Sequence, residues 1–305
     1  MIKSDAPLFG RLITAMVTPF DDEGKVDFKA AEKLVEHLIA TGTTSIVVSG
    51  TTGESPTLED AEKKDLLKTV LKVSSGRAKV IMGTGYNSTA KSVKASKEAE
   101  QLGADGLLVV APYYNKPSQA GLLAHFGEVA KATSLPIIVY NIPGRTGINI
   151  TSDTTVKLAE THANIHALKD STGSVDQAAE IAGRAPQHFR VYSGDDYLTL
   201  PFASVGGCGI VSVASHIVGK EIGDMLNDYF KGNLDGAREV HYKYLLLFKG
   251  LFAAPNPTCV KYALSKLGLC KEHLRLPLVP LDKSQKEAMD KLIKEAGIKA
   301  ALSVA

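Results

Sequence analysis

Along the first two thirds of the chain, short apolar runs alternate with longer stretches whose apolar residues recur at three- and four-residue spacing, the periods of buried strands and amphipathic helices. The pattern reads as strand then helix, repeated. Strands are predicted at Leu12–Pro19, Ser45–Ser49, Val80–Gly83, Gly106–Ala111, Ile137–Asn141, Ile165–Lys169, Arg190–Ser193 and Gly209–Val213. The helices between and after them are predicted over 28–41, 59–74, 88–102, 119–133, 152–162, 174–183, 196–204 and 218–231. Thr57, three residues ahead of Asp60, reads as a helix cap, and Gly42, Gly76 and Gly103 stand where helix ends favour a left-handed residue.

Eight βα units over about 230 residues match the length of a (β/α)8 TIM barrel, an α/β fold whose active sites lie where strands give way to the following loops. A doubly wound sheet fits less well, because it wants a glycine-rich turn after its first strand. Here that strand runs into Thr18-Pro19-Phe20, with no glycine until Gly24. Residues 1–232 are therefore read as a catalytic barrel. Residues 233–305 are read as a C-terminal helical extension, with helices near 234–250, 256–267 and 282–297 broken by Pro255, Pro257, Pro277 and Pro280.

Composition narrows the function classes. The 305 residues include 35 Lys+Arg against 33 Asp+Glu, a net charge of +2, too small and too evenly mixed for a nucleic-acid binder. No apolar stretch reaches the roughly 18 residues of a spanning helix; the richest, Tyr244 to Phe252, is broken by Lys249. The first ten residues carry Lys3, Asp5 and Pro7 and no signal-peptide pattern, so a cytoplasmic location is expected. Cys208, Cys259 and Cys270 are odd in number and far apart, which suits buried thiols better than disulfides or a zinc site.

If the barrel is right, the strand ends hold the chemistry. After the second strand, Gly50-Thr51-Thr52-Gly53-Glu54-Ser55 offers backbone N–H groups and hydroxyls together, a combination suited to a carboxylate or phosphate and equally to a tight turn with a helix cap. After the fourth and fifth come Tyr113, Tyr114, Tyr140 and Arg145, which supply proton donors and a bidentate carboxylate clamp. The sixth strand carries Lys169, which by alternation shares a face with Ala167 and Ile165. Alternation alone does not say which face points inward. An ammonium inside a barrel is costly unless it is paired or loses its proton, and a neutral amine can form a Schiff base with a carbonyl substrate. Tyr140, on the face of Ile138, could enter beside it and shuttle protons, with Thr51 relaying them onward. His162 and His166 have the spacing of helical metal ligands but straddle a helix end and a strand, and Asp195-Asp196 lacks obvious ligand partners, so no metal is expected.

Taken in order, Ala15-Met16-Val17-Thr18-Pro19-Phe20, Gly50 to Ser55, Pro112-Tyr113-Tyr114-Asn115, Tyr140 to Gly147, Leu168 to Gly173 and Ser193-Gly194-Asp195-Asp196 resemble the dihydrodipicolinate synthase family of pyruvate-dependent class I aldolases. Asn256-Pro257-Thr258-Cys259-Val260-Lys261 is similar to a further element of that family, so the resemblance spans nearly the whole chain. It implies a condensation of pyruvate with aspartate semialdehyde, on the route to diaminopimelate and lysine, without a cofactor or metal. It also implies that Lys169 forms the Schiff base and that Tyr140, Thr51 and Tyr114 relay protons, Tyr114 reaching into a neighbouring subunit. By the same resemblance Thr52 holds the pyruvate carboxylate, Arg145 binds the second substrate's carboxylate, and the backbone near Gly194 and Val211 closes the site. The implied assembly is a homotetramer, a dimer of dimers, in which Tyr113 has an interface role.

Arg145 favours a short acid over the polyhydroxylated partners of the same-family keto-deoxy sugar acid and N-acetylneuraminate aldolases. Other readings are a metal-dependent barrel lyase using Asp195 and Asp196, and a non-catalytic ligand-binding barrel, for which Lys169 or Tyr140 should be lost; both are present. Lysine-inhibited members of the family carry histidines and a glutamate where this chain has Asp60, Lys63 and Lys91, although Ser55, Asn87 and Tyr113 are kept. Lys91 would repel the ammonium of free lysine, so weak or absent feedback inhibition is expected.

Overall fold

A computed structural model of the chain describes residues 6–298. Residues 1–5, which include Lys3 and Asp5, and 299–305, the end of the predicted helical extension, lie outside the described residues. Eight strands, β1 (Leu12–Ala15), β2 (Ser45–Val48), β3 (Lys79–Gly83), β4 (Gly106–Val110), β5 (Ile137–Asn141), β6 (Ile165–Asp170), β7 (Arg190–Ser193) and β8 (Gly209–Ser212), are hydrogen-bonded in chain order into a closed barrel. Pairing from β3 through β8 is parallel. The helices are α1 (Phe28–Ala40), α2 (Asp60–Ser74), α3 (Thr89–Gln101), α4 (Gln119–Lys131), α5 (Pro143–Thr146), α6 (Ser152–Thr161), α7 (Val175–Arg184), α8 (Thr199–Ser204), α9 (Ser215–Lys231), α10 (Leu234–Gly250), α11 (Thr258–Lys266) and α12 (Lys283–Glu295). The TIM barrel and its C-terminal helices are thus as expected. The contacts group the chain into two compact units, Met1–Ile13 with Lys79–Ser212, and Thr14–Ala78 with Val213–Ala305.

In the first unit, Leu107, Leu108 and Val109 of β4, Ile138 and Val139 of β5, and Leu168 of β6 are buried. Side chains of this kind contribute roughly 1.5–3 kcal/mol each when fully withdrawn from water. Gly209, at the start of β8, has no room for a side chain, since a Cβ there would lie 2.1 Å from the Arg11 carbonyl oxygen.

In the second unit, β2 and α1 bury Ile46, Val47, Val48, Leu34, Val35 and Leu38. Asp27 caps α1 by accepting the Ala30 N–H at 3.0 Å. The predicted Thr57–Asp60 cap is not formed: Glu59 and Glu62 make the capping box of α2, while the Thr57 hydroxyl donates to the Glu54 carbonyl at 3.0 Å inside a short 3-10 turn. Gly42 and Gly76 in this unit, and Gly103 in the other, take φ values of +93°, +76° and +89°, as their places at helix ends predicted. α9 begins at Ser215, and Val218, where the pattern predicts its start, interrupts it with φ −128°. β1 stops at Ala15, short of the predicted Pro19, because the Val17 N–H is taken by His216 Nε2 at 3.1 Å.

All three cysteines are free and buried, and burial pushes the Cys208 thiol up to about 12, the condition of an inert thiol. Among the described residues no helix is long and apolar enough to cross a membrane.

Candidate active site

Lys169 lies one residue from the end of β6, and its register partners are Tyr140 on β5 and Tyr192 on β7. Paired residues on neighbouring parallel strands present side chains to the same face. Tyr192 identifies that face. Its hydroxyl donates at 2.9 Å to the carbonyl of Gly10, just ahead of β1, although β8 stands between β7 and β1 in the barrel order. A side chain that reaches past a strand in this way crosses the interior, so Tyr140, Lys169 and Tyr192 point inward. Lys169 is 5% exposed, and its Nζ lies 4.2 Å from the centre of the Tyr140 ring. Among the described residues the Lys169 amine makes no hydrogen bond or ion pair, so no anion is committed to it.

Three aspartates lie at the ends of β6 and β7, and one of them, Asp195, interacts electrostatically with this amine. Asp170 is fully buried; its Oδ1 accepts the Thr172 N–H at 2.8 Å, while its Oδ2 has no hydrogen-bond partner. Burial pushes its carboxyl above the usual range. Asp195 is pushed further, up to about 6, by burial first; the positive charge at Lys169 opposes the rise, and Asp196 and Asp170 add to it. Asp196 is buried and accepts the Ser212 hydroxyl at 2.5 Å. Among the described residues no three His, Cys, Asp or Glu side chains converge on a metal position. His162 closes the end of α6, and His166 meets His188 edge-on at 5.7 Å.

The strand-end loops of this unit have definite causes. The Gly194 N–H donates to the Asp170 carbonyl at 2.7 Å, and a Cβ on Gly194 would fall 1.9 Å from the Ser171 Oγ and 3.0 Å from the Asp170 carbonyl oxygen, so a larger residue would have to turn the Ser171 hydroxyl aside. Val211 is fully buried on β8. After β5 the chain forms the single turn α5, which carries Arg145 at the surface and ends in Gly147 at φ +75°. Buried Asn141 braces that excursion: its Nδ2 donates to Asn149 Oδ1 at 2.7 Å and to the Ile150 carbonyl at 3.1 Å, and its Oδ1 accepts the Ile150 N–H at 3.1 Å. Tyr114 is 89% exposed and holds a left-handed backbone, φ +74°, which costs a non-glycine residue about 1 kcal/mol or more. Its neighbour Tyr113 is half-buried, and burial raises its hydroxyl pKa.

Thr51 and Thr52 belong to the other unit. Their loop is wound so that the N–H groups of Gly53, Glu54 and Ser55 are taken by the carbonyls of Gly50 and Thr51 at 3.0–3.3 Å. The N–H groups of Thr51 and Thr52 have no such partner among the described residues. Thr51 is half-buried and Thr52 buried. Glu54, at φ +54°, is fastened from the C-terminal segment: its Oε1 accepts Lys261 Nζ at 2.5 Å and its Oε2 accepts the Arg275 N–H at 3.0 Å. Lys261 is fully buried, donates also to the His273 carbonyl at 2.9 Å, and lies 4.0 Å above the Phe20 ring. Burial lowers its pKa and Glu54 pulls it partly back. Asn256 Nδ2 donates to Thr52 Oγ1 at 2.9 Å.

The structure therefore brings Lys169 and Tyr140 together. It also reveals Asn141, Asp195, Glu54, Lys261 and Asn256 as residues that the sequence reading gave no such part. All five lay within the family-like motifs, and Asp195 was weighed there only as a metal ligand.

Compared with known proteins, residues 8–296 match the family model described as the dihydrodipicolinate synthetase family. A protein of Heliobacterium modesticaldum named 4-hydroxy-tetrahydrodipicolinate synthase is 52% identical over 96% of this chain and 97% of its own. The crystal structure of dihydrodipicolinate synthase from Cyanidioschyzon merolae with lysine bound superposes with a TM-score of 0.95 at 45% identity, covering 96% of this chain and 100% of that one. The chloride-inhibited enzyme of Acinetobacter baumannii complexed with pyruvate gives 0.93 at 40% identity over 95% of this chain and 100% of its own.

Proposed function

From the premise that the chain belongs to the dihydrodipicolinate synthetase family, we propose that it is a lyase that condenses pyruvate with L-aspartate 4-semialdehyde. Its product is 4-hydroxy-tetrahydrodipicolinate, in diaminopimelate and lysine biosynthesis. The observation that carries the chemistry is the Lys169 amine, buried on the inner face of the barrel against Tyr140 and bound to no carboxylate. The unprotonated amine adds to the pyruvate ketone, water leaves, and the resulting iminium loses a methyl proton to become an enamine. The enamine carbon attacks the aldehyde. The amino group of the second substrate then displaces Lys169 by adding to the same iminium carbon, which closes the ring and frees the enzyme.

In this reading Tyr140, Thr51 and Tyr114 carry protons to and from the forming imine, Thr52 holds the pyruvate carboxylate, and Arg145 takes the carboxylate of the aldehyde substrate. Gly194 and Val211 supply the closing backbone. The exposure of Tyr114 supports its presentation to another subunit of a homotetramer built as a dimer of dimers. The reaction uses no cofactor or metal, the location is the cytoplasm, and feedback by lysine is weak because of Asp60, Lys63 and Lys91. Keto-deoxy sugar acids and N-acetylneuraminate are not favoured as substrates, since the relatives at about half identity are named as synthases of the dihydrodipicolinate type.

The test is borohydride reduction in the presence of pyruvate followed by peptide mass mapping. A three-carbon adduct on Lys169 is expected; an unlabelled Lys169 in an active preparation overturns the mechanism.

A further inference from the structure

The second unit contains an arrangement that the reaction scheme above does not use. A hydroxyl group has one proton and two lone pairs. At Thr52 one lone pair is occupied by the Nδ2–H of Asn256, 2.9 Å away, in a place where both residues are buried. The Thr52 proton cannot point back along that bond, so it is directed elsewhere, and the hydroxyl is left as a donor. The Thr51 and Thr52 N–H groups, without partners among the described residues, are donors as well. Three donors on consecutive residues form a cradle for an anion.

Asn256 is itself held. It sits two residues ahead of α11, whose Lys261 is tied to Glu54 in the same loop as Thr52. Arg275, further along the C-terminal segment, grips that loop again through Glu54 Oε2 and through the Thr57 carbonyl at 2.7 Å. The segment after residue 250 thus fixes both the place of the Thr51–Glu54 loop and the polarity of one of its hydroxyls.

We propose that Asn256 is a positioning residue for the keto acid: by donating to Thr52 it compels the Thr52 hydroxyl to donate to the pyruvate carboxylate. This deepens the function proposed above and rests on the reading of Thr52 as the carboxylate holder. The discriminating variant is Asn256→Asp, which keeps the shape but replaces the amide donor with an acceptor that captures the Thr52 proton. Asn256→Ala removes the donor without offering an acceptor.

The expected result for N256D is a rise of about tenfold or more in the KM for pyruvate, with a smaller rise of a few-fold for N256A, the scale of one charge-assisted hydrogen bond. The KM for the aldehyde should stay within about twofold, a split that mere loosening of the fold does not produce. In a Thr52→Val background, N256D should add almost nothing to the pyruvate KM, because the hydroxyl it acts through is gone.

The proposal is overturned by an N256D enzyme with unchanged pyruvate KM, by parallel rises for both substrates, or by full additivity with T52V. If N256D does not fold, as judged by its thermal transition, N256A decides by the same readings. Borohydride with saturating pyruvate should still label Lys169 in the variants. Labelling with no change in pyruvate KM removes the role of Asn256 and leaves the proposed function standing, whereas wild-type enzyme that fails to label removes the function itself.

Discussion

Among the described residues three lysines are buried, Lys63, Lys169 and Lys261, and two of them, Lys169 at 5% exposure and Lys261 at 0%, have the side-chain nitrogen against an aromatic ring, at 4.2 and 4.0 Å. Burial and ring contact therefore do not tell a nucleophile from a structural cation. What differs is the company. Lys261 is bound to Glu54 and to the His273 carbonyl, and both oxygens of Glu54 are occupied. A lysine so held keeps its proton shared with a carboxylate and has no lone pair to offer. Lys169 has no such bond, and the acids of this region are poorly served: Asp170, next to it in the chain, has an orphaned oxygen, and Asp195, which feels the charge at Lys169, is pushed up to about 6. One region is satisfied and the other is left with unmet demands, the usual signature of a site kept for chemistry at some cost in stability.

The most direct way to break this comparison is to exchange the amine that is free. Lys169→Arg keeps a cation but cannot form an imine, and turnover should fall by about 10⁴-fold or more, the scale for loss of a covalent nucleophile, with no borohydride adduct. Retained turnover would make Lys169 no different in kind from Lys261. The converse is Lys261→Met, which leaves the Glu54 carboxyl buried with its main partner gone. It should destabilise the fold by about 3–5 kcal/mol, read as a lower midpoint in denaturant. Adding Glu54→Gln should return much of that loss, because a neutral amide no longer needs the ammonium. A K261M protein as stable as wild type would show that the pair is not structural.

The sequence made much of this legible, and the exceptions have physical reasons. Strands and helices announced themselves by local periodicity, and the observed β5 and β7 coincide with the predicted limits. β1 came out shorter because a distant histidine, His216, intercepts the Val17 N–H, an event no local window contains. Alternation placed Lys169 on the face of Ala167, but the inner face was decided by the Tyr192 bond to Gly10, 182 residues away in sequence. The same holds for Glu54 and Lys261, whose pairing spans 207 residues. Asp195 was visible as a residue and not as a perturbed acid, since its shift comes mainly from burial. Thr57 was misread as a cap because Thr-x-x-Asp and the true Glu59-x-x-Glu62 box overlap by two residues.

The finest test of the contrast is Asp195→Asn, where the expected effect is smaller and changes with pH. The folded carboxyl titrates near 6, above the ordinary aspartate value of about 3.9 in the unfolded chain. Between those values the folded protein holds a proton that the unfolded chain has lost, so stability falls as the pH rises from about 4 to about 6 and stays low above it. Asparagine removes that penalty. The variant should match wild type near pH 4 and exceed it at pH 7.5 by about 1–3 kcal/mol, seen as a thermal midpoint higher by several degrees. Equal midpoints at pH 7.5, or a difference independent of pH, would mean that the acids of the Lys169 region are as well satisfied as the partner of Lys261, and the contrast between the two regions would fail. If the stabilised variant also loses turnover, the strain at Asp195 belongs to the reaction, because a merely tolerated defect would be relieved without loss.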